Sequence, residues 1–448
     1  MLSEIHKISV LVKSNGGKAF LVGGCVRDMY LNLVPKDFDI EVFGVQPELL
    51  IEILGAQYQV DLVGKSFGVI KLKNLPIDVS LPRKEICYGT GHKDFQVSCD
   101  PFMTIEDAAQ RRDFTINSLM FDPLSNIYID PTGRGILDLH DEILDPVSEK
   151  FMEDPLRVLR AMQFIARFGF RPSQKLIDYS LLLSMSNLSK ERIFDEFNKF
   201  LLKGKYMRLG LDFLVNSSWI SFFPELGAIL NTPQDPTHHP EGEVYSHIGF
   251  VLDAFAQHRT GDDNEDLVMG YAALCHDFGK ATHTTWCNEK HTWISHGHEE
   301  AGEAPTRSFM ARLTNQEEFI NEIVGLVKNH LRPRLLFKAN AGKSAIRRLA
   351  LEVRIDRLCH LNKLDQMGRT PLNPIEFPEV DWLLGLASTL NIQKSGPQPI
   401  IMGRHLISLG IKPGVEMGVL LKKCFEAQLN GVFETVEDGI SWFNANLK

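Results

Sequence analysis

The run Gly23-Gly24-Cys25-Val26-Arg27-Asp28, followed nine residues later by Asp37-Phe38-Asp39, constrains this chain more than any other feature. Lys18–Val22 reads as a buried strand before it, and Val26–Leu33 as a helix after it. Glycines at such a junction let the backbone close on a ligand and aim its N–H groups outward, at a helix N-terminus that favours anions. Asp37 and Asp39 stand two apart in the apolar run of Phe38, Ile40, Val42 and Phe43. On a strand, that spacing puts both carboxylates on one face and Phe38 on the other. Two carboxylates beside a phosphate cradle suit a pair of Mg²⁺ ions about 3.5–4 Å apart. One ion would activate an attacking hydroxyl and the other would steady a triphosphate with its leaving group, which is the chemistry of nucleotidyl transfer.

In its strand–turn–helix–strand order this segment resembles the head of the polymerase-β-like nucleotidyltransferases. More narrowly, it resembles the class II tRNA nucleotidyltransferases (CCA-adding enzymes) and their bacterial poly(A) polymerase relatives. A second dense cluster, Arg111-Arg112-Asp113-Phe114-Thr115-Ile116-Asn117, matches that family's Arg-Arg-Asp-hydrophobic-Thr-x-Asn element. Beside a metal site, arginines are natural partners for triphosphate oxygens, and an asparagine can orient a sugar hydroxyl. Asp130-Pro131-Thr132-Gly133-Arg134, running on through Asp138, resembles the element that follows in the family. Asp78 stands where a third carboxylate would join the pair, or where a strand would simply end on an acid.

Length and composition frame this reading. At 448 residues the chain is too long for one ordinary core, so several domains are expected. No apolar run reaches the length of a membrane span, and the first residues lack the apolar core of a signal peptide. Seven scattered cysteines without a Cys-x-x-Cys pair point to reduced thiols and a cytoplasmic protein. The net charge of −9 argues against a surface that coats nucleic acid throughout, but Lys150–Arg208 is a basic segment fit to hold an RNA backbone locally.

Within that segment, Glu153-Asp154-Pro155-Leu156-Arg157 narrows the function. Asp154 and Arg157, three apart on a helix, share a face that Arg160 extends. Cytosine and adenine each present an exocyclic amine beside a ring-nitrogen acceptor, so a carboxylate with a guanidinium would choose C and A over G and U. The run matches the Glu-Asp-x-x-Arg element of class II tRNA nucleotidyltransferases, as does its continuation from Arg160 to Phe170. Lys190-Glu191-Arg192-Ile193 with Glu196 resembles the next helix of that family.

From His239 the chain changes character. His247 follows a His239-Pro240-Glu241-Gly242 lead-in, His276-Asp277 comes next, then His298, His330 and Asp365. Two imidazoles and two carboxylates make a mixed N/O set suited to a transition metal or Mg²⁺. The order resembles the HD-domain metal phosphohydrolases, whose pattern is His, His-Asp, Asp on separate helices. His298 and His330 would hold a second ion or contact a phosphate. Gly403–Gly414 fits the C-terminal element of bacterial tRNA nucleotidyltransferases that carry an HD domain.

The resemblance thus implies an α+β chain. It would have a polymerase-β-like nucleotidyltransferase head over residues 1–145 and a helical neck and body over 146–232. An HD metal phosphohydrolase domain over 233–372 and C-terminal helices over 373–448 would follow. Thr232–Pro240 and Pro371–Pro378 read as linkers, and helical periodicity replaces strand signals from Glu153 onward. Expected partners are tRNA, ATP and CTP, with Mg²⁺ at the transferase site and a divalent metal at the HD site. Gly23, Gly24, Arg27 and Asp28 would hold the triphosphate with Arg111 and Arg112. Asp113 and Asn117 complete that cluster. Asp37 and Asp39 would carry Mg²⁺, Asp154 and Arg157 with Arg160 would choose the base, and His247, His276, Asp277 and Asp365 would carry the second metal. Addition of CC alone, of A alone, or of poly(A) shares the same head. A phosphohydrolase with a merely binding head, or an RNA-binding protein with two decayed sites, is the alternative of another class.

Overall fold

The computed structural model describes residues 1–64, 69–87, 95–370 and 376–447. The chain forms two compact units, Met1–Phe200 with Leu209–Phe222, and Leu201–Arg208 with Phe223–Lys448.

The first unit is built on a mixed sheet. In chain order its strands are β1 (Lys18–Val22), β2 (Phe38–Phe43), β3 (Val60–Gly64), β4 (Val69–Leu72), β5 (Ile77–Ser80), β8 (Met120–Asp122) and β9 (Ile127–Ile129), with β6 (Arg83–Cys87) and β7 (Phe95–Cys99) forming a separate hairpin. The seven strands run in the order β3-β4-β5-β2-β1-β8-β9. β1 is antiparallel to β2 and β8, while β2 runs parallel to β5. Four successive buried residues, Ala19 to Val22, mark β1 as a strand covered on both faces. Phe20 and Val22 join Phe43, Ala108 and Met120 in one core, where the rings of Phe20 and Phe43 meet edge to face. The helix Leu2–Ser14 packs against β1 and buries Ile5, Ile8 and Val12, the spacing of one helical face.

Local boundaries differ from the sequence expectation. The helix expected over Val26–Leu33 spans Gly24–Tyr30, because Gly24 already joins its first turn and Asn32, at φ 57°, closes the far end. Asp37 precedes β2 rather than lying within it.

Past Leu144 the first unit is mostly helical. Phe164 of the helix Leu156–Phe168 meets Phe114 at 5.5 Å, and Phe151 meets the same ring at 5.9 Å, so the Arg-Arg-Asp segment is seated on that helix. Two short pairings interrupt the expected run of helices: Ile143–Leu144 with Arg171–Pro172, and the hairpin of Thr285–Cys287 with Thr292–Ile294. The β-favouring Thr, Trp and Ile of that hairpin overcome the helical surroundings.

The second unit is otherwise helical among the described residues. Val244–Gln257, Asp263–Cys275, Glu317–Asn329 and Ile355–Met367 form its centre. Near the C-terminus, Leu406, Met417, Cys424, Phe433 and Phe443 form a core of their own. Thr232–Pro240 is folded rather than a free linker: Pro233 bridges to Glu243, and the carbonyl of Asp235 accepts from the amides of His238 and His239. Of the stretch Pro371–Pro378, residues 371–375 lie outside the described residues. Among the described residues, no helix is long and apolar enough to cross a membrane.

Candidate functional site

The first site forms where β1 hands over to the helix Gly24–Tyr30. Gly23 caps that helix at φ 75°, ψ −140°, a conformation that L side chains avoid. A Cβ on Gly23 would also stand 3.3 Å from Nη1 of Arg112 and 3.9 Å from Oδ2 of Asp39. The glycine therefore lets backbone, guanidinium and carboxylate converge. Sheet pairing sets the rest: Val22 pairs with Asp39 across β1 and β2, and Asp39 pairs with Asp78 across β2 and β5. Within β2, Asp39 and Glu41 alternate with Phe38 and Ile40 and so share one face, and Asp37 stands exposed directly before the strand. Glu41 has no role in the sequence reading, although its place in the alternation could have pointed to it. It lies 3.4 Å from Arg112, and Lys71 of β4 lies 3.5 Å from Asp78.

The carboxylates open on a cavity of about 660 Å³ lined by Asp37, Asp39, Asp61, Lys71, Lys73 and Asp78. Asp39 is exposed at this opening, yet protein crowds the inner side of its carboxyl. That loss of water raises its pKa, Asp78, Asp37 and Glu41 raise it further by repulsion, and Arg112 only partly opposes them. A set of oxygen ligands that repel one another in the absence of a cation fits hard divalent ions such as Mg²⁺.

Behind this opening runs a buried polar chain. Arg27 donates to Asp28 at 2.9 and 2.6 Å and to Oδ1 of Asn117 at 2.5 Å, with its guanidinium about 5 Å from the ring centres of both Phe164 and Phe168. Asp28 also receives Arg167 at 3.2 Å. Arg27 and Asp28 thus neutralise each other directly below the Gly23 turn. Asn117 in turn donates to Asp113, which receives Arg160 at 2.8 and 2.6 Å. Burial pushes the Asp113 carboxyl up, but Arg160 and Asn117 more than offset it, leaving it below the usual range. Arg111 donates to the carbonyl of Arg83.

The proposed base-reading pair looks different from its sequence reading. The helix begins at Leu156, so Asp154 lies before it and accepts from the amide of Leu156 at 3.2 Å. Its other oxygen pairs with Arg192 at 2.7 Å. Arg157 donates instead to the backbone carbonyls of Lys150 and Arg111. Helix-start geometry overrides the three-residue spacing, and the partner of Asp154 is a residue far along the chain.

The second unit brings all four predicted ligands together. His247 lies in Val244–Gln257, His276-Asp277 follows Asp263–Cys275, and Asp365 lies in Ile355–Met367. Nε2 of His247 is 3.1 Å from Asp365 and 3.8 Å from Asp277, and Nε2 of His276 is 3.3 Å from Asp277. His298 and His330 join them, with their Nε2 atoms 3.2 and 3.8 Å from the other oxygen of Asp277.

Tautomers make the case for a cation. Nδ1 of His276, His298 and His330 meets the carbonyls of Ala273, Ser295 and Val327 at 2.8, 2.6 and 2.7 Å. A carbonyl only accepts, so each Nδ1 carries a proton, and in the neutral form each ring turns a lone pair inward at Nε2. Nδ1 of His247 meets Glu241 at 2.7 Å; burial opposes its charged form, but Asp365 and Glu241 at its two ring nitrogens raise its pKa. The Nε2 atoms of His298 and His330 face each other at 3.3 Å, an approach that a shared cation, or a proton on one of the rings, makes favourable. Nε2 of His276 is buried and makes no hydrogen bond among the described residues. Separations of 3.1–3.3 Å also match the distance between neighbouring ligands on one metal, about 3.0–3.4 Å for bonds of roughly 2.1 Å. The donor set fits a divalent metal.

Glu241, His239, Lys280 and Arg369 surround this cluster and have no role in the sequence reading. Glu241 accepts from His239 at 2.8 Å as well as from His247. Burial pushes its carboxyl up, but the two imidazoles bring it down to about 2. Lys280 sits 2.7 Å from Asp277, and Arg369 3.2 Å from Asp365. The His-Pro-Glu run was the available signal for Glu241.

Comparison with known proteins agrees with this geometry. Residues 19–145 match the poly A polymerase head domain family. The chain is 34% identical over 329 residues to the multifunctional CCA protein of Xylella fastidiosa (strain 9a5c), covering 72% of this chain and 76% of that relative. Its fold resembles the CCA-adding enzyme of Bacillus stearothermophilus in complex with CTP, at 20% identity, a TM-score of 0.66 and coverage of 99% and 96%. It also resembles the Thermotoga maritima CCA-adding enzyme complexed with tRNA, at 18% identity, a TM-score of 0.59 and coverage of 100% and 95%. With its polymerase-β-like head and with relatedness along most of its length, the chain belongs to the family of multifunctional CCA proteins, the CCA-adding enzymes.

Proposed function

We propose that this protein completes the 3′ end of tRNA by adding C, C and A from CTP and ATP, without a nucleic-acid template. The observation that carries the reading is the meeting of Asp39, Asp78 and Arg112 at the Gly23 turn, in a chain of this family. Asp37 and Asp39, with Asp78 as a third carboxylate, would hold Mg²⁺. Bound there, two ions would favour ionisation of the tRNA 3′ hydroxyl and neutralise charge on the triphosphate. Arg112, and Arg111 if it leaves the Arg83 carbonyl, supply cations to phosphate oxygens. The Gly23-Gly24 backbone approaches the same phosphates, and the Arg27–Asn117–Asp113–Arg160 chain keeps that loop in place. Asp154, in exchange for its contact with Arg192, accepts from the exocyclic amine of C or A. Arg157 donates to the ring nitrogen in place of a carbonyl. Residues 1–145 would serve as the catalytic head, 146–232 as base-selecting neck and RNA-binding body, 233–372 as hydrolase and 373–448 as a C-terminal helical region.

In the second unit the same reading assigns an HD-type phosphohydrolase. His247, His276, Asp277 and Asp365 would hold one divalent cation, and Asp277 with His298 and His330 would hold another. Metal-bound water there would be the nucleophile, since neither serine nor cysteine belongs to the cluster. A 2′,3′-cyclic or terminal phosphate on damaged tRNA is the proposed target, because its removal restores the hydroxyl that the first site needs.

The test is incubation of purified protein with labelled CTP or ATP and tRNA lacking its 3′ CCA. Wild type should extend the tRNA by three residues and stop, whereas Asp37→Ala and Asp39→Ala should not extend it. Extension by CC only, by A only or by a long A tract would replace the full reading with a partial adder or a poly(A) polymerase. Normal extension by both variants would remove the metal assignment.

A further inference from the structure

Asp365 is balanced by a cation from the end of its own helix. Arg369 places Nη2 3.2 Å from each carboxylate oxygen of Asp365. Its side chain is only 15% exposed, and its Nε is buried with no hydrogen-bond partner among the described residues. The backbone holds it there. A Cβ on Gly368 would stand 2.3 Å from Cγ2 and 3.0 Å from the amide nitrogen of Val251, so only glycine lets this turn lie against the helix Val244–Gln257. Lys280, the other cation of the cluster, is better supplied: it donates to Asp277 and to Gln234, both at 2.7 Å. A buried guanidinium with an unused N–H lacks an acceptor. Its planar fork of donors matches the oxygens of a phosphate.

We propose that Arg369 is the phosphate-binding residue of the second site: it neutralises Asp365 while no metal is bound, and offers its fork to a phosphate ester once a divalent cation has taken over that charge. The proposal rests on reading this cluster as a metal-dependent phosphohydrolase. Without such a group, only the metal and Lys280, itself held by Asp277 and Gln234, would face a phosphate dianion entering beside the carboxylates of Asp277, Asp365 and Glu241. Arg369 competes with the metal for Asp365, so its loss should leave metal affinity equal or tighter while weakening phosphate. A residue that merely shaped Asp365 would weaken both, and this difference in sign separates the two roles.

Full-length wild type, Arg369→Gln and Arg369→Lys are titrated calorimetrically with Mn²⁺ alone, and then with inorganic phosphate at saturating Mn²⁺. Both variants should bind Mn²⁺ at least as tightly as wild type. Phosphate should bind roughly tenfold or more weakly to Arg369→Gln, with Arg369→Lys between, since it keeps the charge and loses the fork. Wild-type phosphate affinity in both variants, a parallel loss of Mn²⁺ affinity, or no phosphate binding by metal-loaded wild type would each overturn the proposal. Failure of the hydrolase reading looks different. Protein that binds phosphate through Arg369 but hydrolyses neither nitrophenyl phosphate nor a nucleoside 2′,3′-cyclic phosphate would sustain the binding site and remove the hydrolase.

Discussion

Gly23→Ala tests whether the transferase site depends on one backbone conformation. At φ 75°, ψ −140°, Gly23 occupies a region that costs a residue with a side chain about 1–3 kcal/mol. The added methyl would also press on Nη1 of Arg112 at 3.3 Å, close to the 3.4 Å contact between Arg112 and Glu41. If the loop escapes this strain by leaving its phosphate-binding form, nucleotide binding must restore it, and 1–3 kcal/mol becomes a loss of roughly 5- to 150-fold. Gly24→Ala is the internal comparison. It has ordinary helical backbone, and its Cβ would lie 3.5 Å from Arg27, a normal contact, so its loss should stay below about threefold. Single-turnover addition of CTP to tRNA lacking its 3′ end gives kcat/KM for both variants. Equal losses at the two glycines, or full activity in Gly23→Ala, would refute the reasoning.

Three further outcomes are expected. Asp154→Ala should relax discrimination against UTP and GTP at least tenfold in a four-nucleotide competition, because a site built on hydrogen bonds to the correct base rejects others strongly; unchanged selectivity would reduce Asp154 to a helix cap paired with Arg192. Glu241→Gln should weaken divalent-metal binding roughly 10- to 100-fold by removing the carboxylate that orients His247, and calorimetry showing wild-type affinity would contradict this. Glu265 bonds Arg357 at 2.7 and 2.8 Å and Arg354 at 2.8 Å, tying together the helices that present His276-Asp277 and Asp365. Arg357 is the first cause of its pKa falling from 4.5 to about 2. A depressed carboxylate stabilises the fold above the unfolded value and loses that contribution as pH falls from 4.5 toward 2. Glu265→Gln should therefore cost about 1 kcal/mol at pH 7, discounted for partial exposure, and little at pH 2.5; urea titrations giving the same difference at both pH values would rule this out.

Much of this protein was legible in order of residues alone. Gly23-Gly24 next to Asp37 and Asp39 implied a phosphate turn beside two carboxylates, and the order and ligand types of His247, His276-Asp277 and Asp365 resembled those of one metal cluster. Such signals survive in sequence because the alternation of a strand and the turn-forming freedom of glycine are local properties. Tertiary structure decided the rest. Asp78 came beside Asp39 only through parallel pairing of β2 with β5, and Glu41 joined by facing Arg112. Asp154 found Arg192 rather than Arg157 because the helix starts at Leu156. Arg27 and Asp28 became a buried brace because Asn117, Arg167 and two phenylalanine rings close over them. In the second unit, Thr232–Pro240 looked like a linker, yet the folded loop brings His239 and Glu241 against His247. The sequence thus determined which ligand types this protein owns, whereas packing determined which further groups meet them: a carboxylate's partner depends on distance in space, and separations of 38 residues between Asp154 and Arg192 or 71 between Glu41 and Arg112 carry no local signal of contact.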